Sequence, residues 1–444
     1  MDRLRRIRAG VRRAIAEWRA FGHPRHRTFL GIGTSAAVVG ALAGDGLTVP
    51  LLLTLGAHPA IATVIGVLPV AFSAAQLRVP WLLEKSDGNL RRVTLAILAA
   101  GELRGFVLAA VTFLTWAGVL PSAAAIVAIG VVMSLGGAAT TIGGTNLLAW
   151  YGAILPDAER RFVAPRVMGL TIGLGAILLL PVALVVEAGL AAFGVRIYAA
   201  IFVIAGLGGL VELSVVRRLP HPGRVRVARP SDATPIVRQP ALESFIRSIT
   251  FAAFGAGMGP YLSIYSISVL HLPSSFAILL SGLASGSALI ASTVIGGLLM
   301  RGSSSRTLRV SFVLRGGSML LGLLAFPGQP FAGIVICVVA IIASAGAAAG
   351  TLAANERLLR LTAGAGLMAA QGRFVAGNAL GMTAGQVSNA VVLALAPLGY
   401  VTFAGLFLVS GLTRFIVASR AEVSAGWSSA TAVYRVDDLT GPPA

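Results

Sequence analysis

Along the chain, stretches of twenty or more mostly apolar residues alternate with short polar connections, and twelve such stretches can be laid out: 29–54, 59–82, 93–117, 122–150, 163–188, 195–216, 244–270, 274–300, 308–326, 331–354, 367–396 and 398–419. About 20 apolar residues in a helix cross the ~30 Å hydrocarbon layer of a bilayer. In lipid, every backbone polar group must be satisfied within the segment, which leaves helices and closed barrels. These runs are continuous rather than alternating every second residue, so a barrel is excluded. The pattern predicts an all-α polytopic membrane protein of twelve transmembrane helices.

The connections sort into two kinds. Those after spans 1, 3, 7, 9 and 11 are short and lack Arg and Lys: 56–60, 120–122, 271–275, 327–330 and 396–399. Those after spans 2, 4, 6, 8 and 10 carry Lys85, Arg91 and Arg92, then Arg160 and Arg161, then six arginines between 217 and 243, then Arg301 and Arg306, then Arg357 and Arg360. Basic connections stay on the inner side. The expected placement is therefore the cytoplasmic (inner) membrane with both termini cytoplasmic; Arg196 runs against the trend.

Composition agrees. The 444 residues are 56% hydrophobic and 11% charged, with a mean hydropathy of +0.88. A net charge of +19 would fit a nucleic-acid binder, but the arginines sit between apolar runs, where topology accounts for them, so no nucleic-acid partner is expected. Residues 1–28 carry nine Arg; they form either a basic amphipathic helix on the inner leaflet or a positive tail that fixes orientation. Residues 217–243 hold six Arg and five Pro and read as an extended cytoplasmic linker between two halves, 29–216 and 244–419. Residues 420–444 read as a polar, disordered tail. One cysteine, Cys337, and five histidines in tails or loops give no metal site, no cofactor site and no catalytic cluster, so no enzyme is expected.

A repeat ties the halves together. Residues 161–173, RFVAPRVMGLTIG, recur 212 positions later as 373–385, RFVAGNALGMTAG. In the layout above, Arg161 and Arg373 both open the fifth helix of their half. Asn146 and Asn355 close the fourth helices, and Pro59 and Pro273 open the second. Two parallel six-helix repeats follow. The small residues after Arg161 and Arg373 are expected to let helices 5 and 11 slide against the opposite half.

With the basic linker between such halves, the chain resembles the major facilitator superfamily of secondary transporters over residues 29–419. The family carries G-x-x-x-D-x-x-x-R-R between helices 2 and 3. Residues 83–92 read LEKSDGNLRR, matching at Asp87, Arg91 and Arg92 with Leu83 in place of the glycine. The 155–162 connection, LPDAERRF, also resembles the family's acid-then-arginine pattern at the start of helix 5. The resemblance implies a cytoplasmic gate built from Asp87, Arg91, Arg92, Arg161 and Arg373; the bland alternative is that these charges only hold the inner face. Span 5 lacks the glycine-proline signature of the drug–proton antiporters, with Pro181 following Leu180.

Charged residues inside spans are costly and need a reason. Asp45, flanked by glycines in span 1, is one; the resemblance places helices 1, 4, 7 and 10 around a central cavity and makes Asp45 a proton carrier, the alternative being a helix-kink residue. Glu102 and Arg104 in span 3 do not share a helix face and are expected to find structural ion-pair partners on neighbouring helices. Glu187 and Glu212 lie near span ends and are expected at the interface. Asn146, Tyr261, Tyr265, Asn378 and Gln386 are further cavity candidates, with Tyr261 and Tyr265 four apart on one aromatic face. The expected protein is a monomeric, proton-coupled secondary transporter of a small solute by alternating access, with the lipid bilayer as its other partner. A drug or lipid exporter of the same fold, or a non-transporting membrane protein, is the alternative.

Overall fold

A computed structural model of the chain describes residues 26–155, 157–222, 240–299, 304–361 and 367–423. The basic N-terminal segment up to residue 25, residues 223–239 of the linker and the tail from 424 lie outside the described residues. Among those described, the regular elements are helices, and they fall into twelve spans. Ten are long and apolar enough to cross a membrane by length and composition. The other two are span 7, cut into Pro240–Gly257 and Leu262–Ser268, and span 11, Leu367–Leu395.

Several long runs read as single helices are interrupted. Span 1 breaks between Arg27–Leu42 and Asp45–Thr54, and span 3 between Leu90–Glu102 and Arg104–Trp116. The break in span 1 has a local cause: Gly44 lies so close to the preceding turn that a Cβ there would sit 2.3 Å from the Gly40 carbonyl oxygen. Any larger residue would push the two half-helices apart. In span 7 the break falls at Gly259-Pro260, where proline lacks a backbone donor and disfavours helix before it. Breaks in spans 1 and 7 therefore fall at equivalent depth in the two halves.

The remaining spans are Pro59–Ser73, continued by Ala74–Arg78, then Ser122–Ile154, Asp157–Phe193, Arg196–Val216, Ser274–Leu299, Ser304–Leu321, Ala332–Leu361 and Tyr400–Val423. A short helix, Val79–Lys85, follows span 2. The face carrying the arginine-rich connections is called the basic face below. Large apolar side chains such as Val127, Val131 and Leu135 of span 4 are exposed at four-residue spacing, a stripe that fits lipid contact.

The buried cores show how the halves meet. One cluster contains Leu47, Leu51, Leu52, Leu179 and Val186 from the first half together with Ile264, Tyr265, Val269 and Ile278 from the second. It occupies the middle and the face opposite the basic one. Towards the basic face the core divides. One cluster, with Phe29, Leu90, Trp150 and Val163, belongs to spans 1–6. The other, with Leu242, Phe245, Phe312 and Leu358, belongs to spans 7–12. The halves share apolar packing at one end and none of these buried cores at the other.

Helix crossings rest on small residues, as expected where lipid gives helices no hydrophobic reason to associate. In the opening repeat, Gly381 and Gly385 press on span 7 of their own half: a Cβ would lie 2.1 Å from the Thr250 carbonyl oxygen and 2.2 Å from that of Phe254. Gly173, by contrast, abuts Leu289 of span 8 in the other half. Span 11 also meets the opposite half, against span 2, where a Cβ on Gly372 would lie 3.3 Å from Leu77; its repeat glycines Gly381 and Gly385, unlike Gly173, pack within their own half.

Candidate functional site

The break in span 1 builds the site. The Gly44 carbonyl accepts from Leu47 and Thr48 at 3.2 and 3.1 Å, so the Ala43 carbonyl lies at the end of the first half-helix. Arg104 of span 3 donates to it through Nε at 3.2 Å. The same guanidinium donates through Nη1 to the Gly136 carbonyl at 3.3 Å and to Thr140 Oγ1 of span 4. Arg104 is buried and ties spans 1, 3 and 4 together at the depth of the break.

Asp45 opens the second half-helix. It is exposed, although Ala43 just before it and Leu47 just after it are buried. Gly40, one turn nearer the basic face, is exposed as well, with open space where a side chain would go. Asp45 therefore borders an interior cleft, with Arg104 on one side and Tyr261 on the other within Coulombic range. Ser281 of span 8 packs against the adjacent Gly46, 2.9 Å from where its Cβ would be.

Tyr261 follows the break in span 7 and reaches across to the first half, its hydroxyl 2.6 Å from where a Cβ on Gly66 would stand. Polar side chains staple this second break: Asn389 donates through Nδ2 to the Gly259 carbonyl at 3.1 Å, and Ser410 donates to the Gly255 carbonyl at 2.7 Å. Gln386 and Thr383 of span 11 carry buried oxygens without a partner in the structure. At the opposite face Ser275 of span 8 donates to Glu187 Oε2 of span 5 at 2.5 Å, another contact between halves.

The expected residues separate into groups. Asp45 and Tyr261 come together across the two halves, with Gln386 behind the span 7 break. Tyr265 does not join Tyr261 in a wall: it is fully buried, its hydroxyl donates to the Ala325 carbonyl, and its ring lies 5.0 and 5.5 Å from Phe403 and Phe407. Tyr261 is the extended N-cap (ψ 115°) of the short helix Leu262–Ser268, so the two tyrosines do not share a helix face, and Tyr265 packs in the core shared by both halves. Asn146 is buried near the basic end of span 4, its Nδ2 without a partner, and Asn378 is exposed on span 11. At the basic face Arg91 donates to the Arg217 carbonyl at 2.7 Å. Asp87, Arg92 and Arg373 are exposed, and Asp87 takes the turn with φ of 51°. The Arg161 side chain lies outside the described residues.

Glu102 and Arg104 find partners on neighbouring helices, but the arrangement is richer than one ion pair. Glu102 is 1% and Glu212 4% exposed, and the two carboxyl groups meet side chain to side chain between spans 3 and 6. Glu212 is thus a buried residue and not the interfacial one expected; the Gly209 crossing, with a would-be Cβ 2.3 Å from the Glu102 carbonyl oxygen, draws span 6 onto span 3. Of the charged residues, Arg315 and Arg414 of spans 9 and 12 went unnoticed in the sequence. The signal was there: Leu-Arg-Gly stands at 103–105 and again at 314–316.

A separate cavity of about 340 Å³ lies at the opposite face, lined by Leu270, Phe276, Gln329, Pro330 and Cys337 among others. It is remote from Asp45. Among the described residues no group of three or more His, Cys, Asp or Glu could hold a metal ion.

No protein-family model and no curated protein sequence matches the chain. Solved structures do. A bacterial homologue of the iron transporter ferroportin in its inward-facing state superposes with a TM-score of 0.67 at 15% identity, over 91% of this chain and 99% of that one. A POT family transporter in complex with a thioalcohol-conjugated peptide gives 0.65 at 15% identity, over 92% and 97%. The inward-open xylose transporter XylE of E. coli gives 0.64 at 14% identity, over 89% and 94%. Each of the three is named a transporter, and the likeness extends across nearly the whole chain: at this identity it shows the fold, which is the major facilitator fold.

Proposed function

We propose that the protein is a secondary active transporter that carries a small solute across the cytoplasmic membrane by alternating access, coupled to protons through Asp45. The observation that carries this reading is the position of Asp45: a carboxylate at a helix break, open to a cleft between two halves and facing Tyr261 of the other half. Interrupted helices at the bilayer's mid-depth, one in each half, are where transporters place their binding groups. The divided core at the basic face and the joined core opposite give a cleft open to the basic face; with the positive-inside rule that face is the cytoplasm. Two of the similar transporters named above were captured open to the inside.

In this mechanism Asp45 takes a proton or releases it as the halves rock. Tyr261 senses its charge from the second half, and Arg104 limits how much negative charge the first half presents. The Ser275–Glu187 contact and the shared apolar core hold the outer side shut in the inward-open state.

The test is solute-dependent proton movement in everted membrane vesicles, read with a pH-sensitive dye against a panel of sugars, peptides, nucleosides, metal ions and drugs. A solute that moves protons with the wild-type protein and fails to do so with Asp45→Asn supports the reading. Proton movement of equal size in the variant removes Asp45 from the coupling.

A further inference from the structure

The Leu-Arg-Gly repeat places Arg104 and Arg315 at the same packing position. A Cβ on Gly136 of span 4 would lie 2.9 Å from Arg104 Cβ, and one on Gly346 of span 10 would lie 2.8 Å from Arg315 Cγ. The sixth helices match as well, Gly209-x-x-Glu212 against Gly411-x-x-Arg414, and a Cβ on Gly411 would lie 3.2 Å from the Gly316 carbonyl oxygen. The charges do not match. Where the first half has Glu102 and Glu212 to face its arginine, the second has Val313 and Arg414.

The second half thus brings two guanidiniums together, one of them buried. Arg414 is 4% exposed; it donates through Nη1 to the Arg315 carbonyl at 3.2 Å, and its Nε has no partner. The Arg315 guanidinium makes no hydrogen bond or ion pair among the described residues, and the residue keeps intermediate exposure. The described acids of spans 7–12 are Glu243, in the first turn of span 7, Glu356, near the end of span 10, and Glu422, at the end of span 12, all towards the basic face. Arginine keeps its proton at any pH a protein meets, so the pair cannot shed charge as a buried lysine or carboxylate does. Like charges side by side in a low-dielectric interior repel, and ionised groups inside a membrane protein mark sites.

We infer that Arg315 and Arg414 form a binding site for an oxyanion, a phosphate or phosphodiester group, between spans 9, 10 and 12. Two planar guanidinium forks suit such a group because each can donate in parallel to two of its oxygens. The group comes either from an anionic phospholipid of the surrounding bilayer or from a soluble phosphate compound. The inference stands apart from the transport reading, since the arginines belong to spans 9 and 12 and do not face Asp45.

The experiment measures the thermal midpoint of the purified full-length protein in two arms. In detergent, inorganic phosphate is compared with chloride at equal ionic strength; in nanodiscs, phosphatidylcholine alone is compared with a mixture containing phosphatidylglycerol. A rise of several degrees with inorganic phosphate identifies a soluble anion, and a rise only with phosphatidylglycerol identifies a lipid headgroup. Arg315→Gln and Arg414→Gln are each expected to lose the rise, whereas Arg218→Gln, an exposed arginine of the basic face, keeps it. No rise in either arm for the wild-type protein overturns the inference, as does an Arg218→Gln variant that loses the rise as fully. If a single variant does not fold, Arg315→Leu combined with Arg414→Leu removes both charges; it should fold and ignore both anions, and a retained rise refutes the site.

Discussion

Arg104→Met is the perturbation that probes the polar floor of the first half. It removes three donated hydrogen bonds, to Ala43, Gly136 and Thr140, and the only described cation beside Glu102, Glu212 and Asp45. Charge-assisted hydrogen bonds contribute about 1.5–3 kcal/mol each, but they are not independent of the ion pairing. The better guide is the cost of stripping one partner from a buried charged pair, about 3–5 kcal/mol. At ~1.4 kcal/mol per tenfold, that shifts the folding equilibrium by roughly two to three and a half orders of magnitude. Glu102→Gln added to Arg104→Met takes away the stranded acid and should restore about 1–3 kcal/mol, the range of coupling between contacting residues. The assay is reversible unfolding of purified protein in mixed micelles titrated with a denaturing detergent, for the wild type, both single variants and the double. A loss below about 1 kcal/mol in Arg104→Met, or additivity of the two changes within about 0.5 kcal/mol, would refute the network.

Three more outcomes are expected. Gly381→Ala should lower the yield of folded protein and cost about 1–3 kcal/mol of stability, because its Cβ meets backbone at 2.1 Å; detergent-extracted protein that elutes and melts like wild type would contradict that crossing. Tyr265→Phe should cost about 0.5–1.5 kcal/mol by stranding the Ala325 carbonyl and leave solute-driven proton movement unchanged, whereas Tyr261→Phe should alter that movement with little loss of stability; the two variants compared in unfolding and in vesicles decide it. Ser275→Ala removes a contact between the halves of about 1 kcal/mol, so the balance between states should move about fivefold away from closure at the opposite face, measurable as distance distributions between spin labels on spans 5 and 8.

The helical spans were legible because bilayer thickness and backbone satisfaction act on composition directly. Span ends fell within a few residues of the observed helices at Tyr400–Val423 and Ser122–Ile154, whereas spans 5 and 10 run further towards the basic face than expected, as Asp157–Phe193 and Ala332–Leu361. The breaks were harder to read. Gly44 and Gly259 stand among many glycines, and only the clash distances separate a glycine that must be one from a glycine that packs. Asp45 was legible as an expensive charge, but whether it meets a cleft or a neighbouring helix depends on how two distant halves close. Tyr261 and Tyr265 illustrate the limit of helical spacing: four residues apart on one expected face, they part because Tyr261 lies in the break itself, as the extended N-cap of Leu262–Ser268, where helical spacing does not apply. Glu212 was misplaced because distance from a span end says little about burial when a glycine crossing pulls the helix inward. Arg315 and Arg414 were passed over because arginine was read as topology, although only their neighbours decide whether an arginine faces headgroups or other helices.

The central claim is that Asp45 lies at the floor of a cleft open to the basic face and sealed from the opposite one. Its most direct test is a single-cysteine protein, Cys337→Ala with Asp45→Cys, reacted with a membrane-impermeant thiol reagent in sealed vesicles of each orientation. Labelling is predicted when the reagent is on the side of the basic face, with little from the other side. Labelling from the opposite side alone, or from neither, would contradict the account.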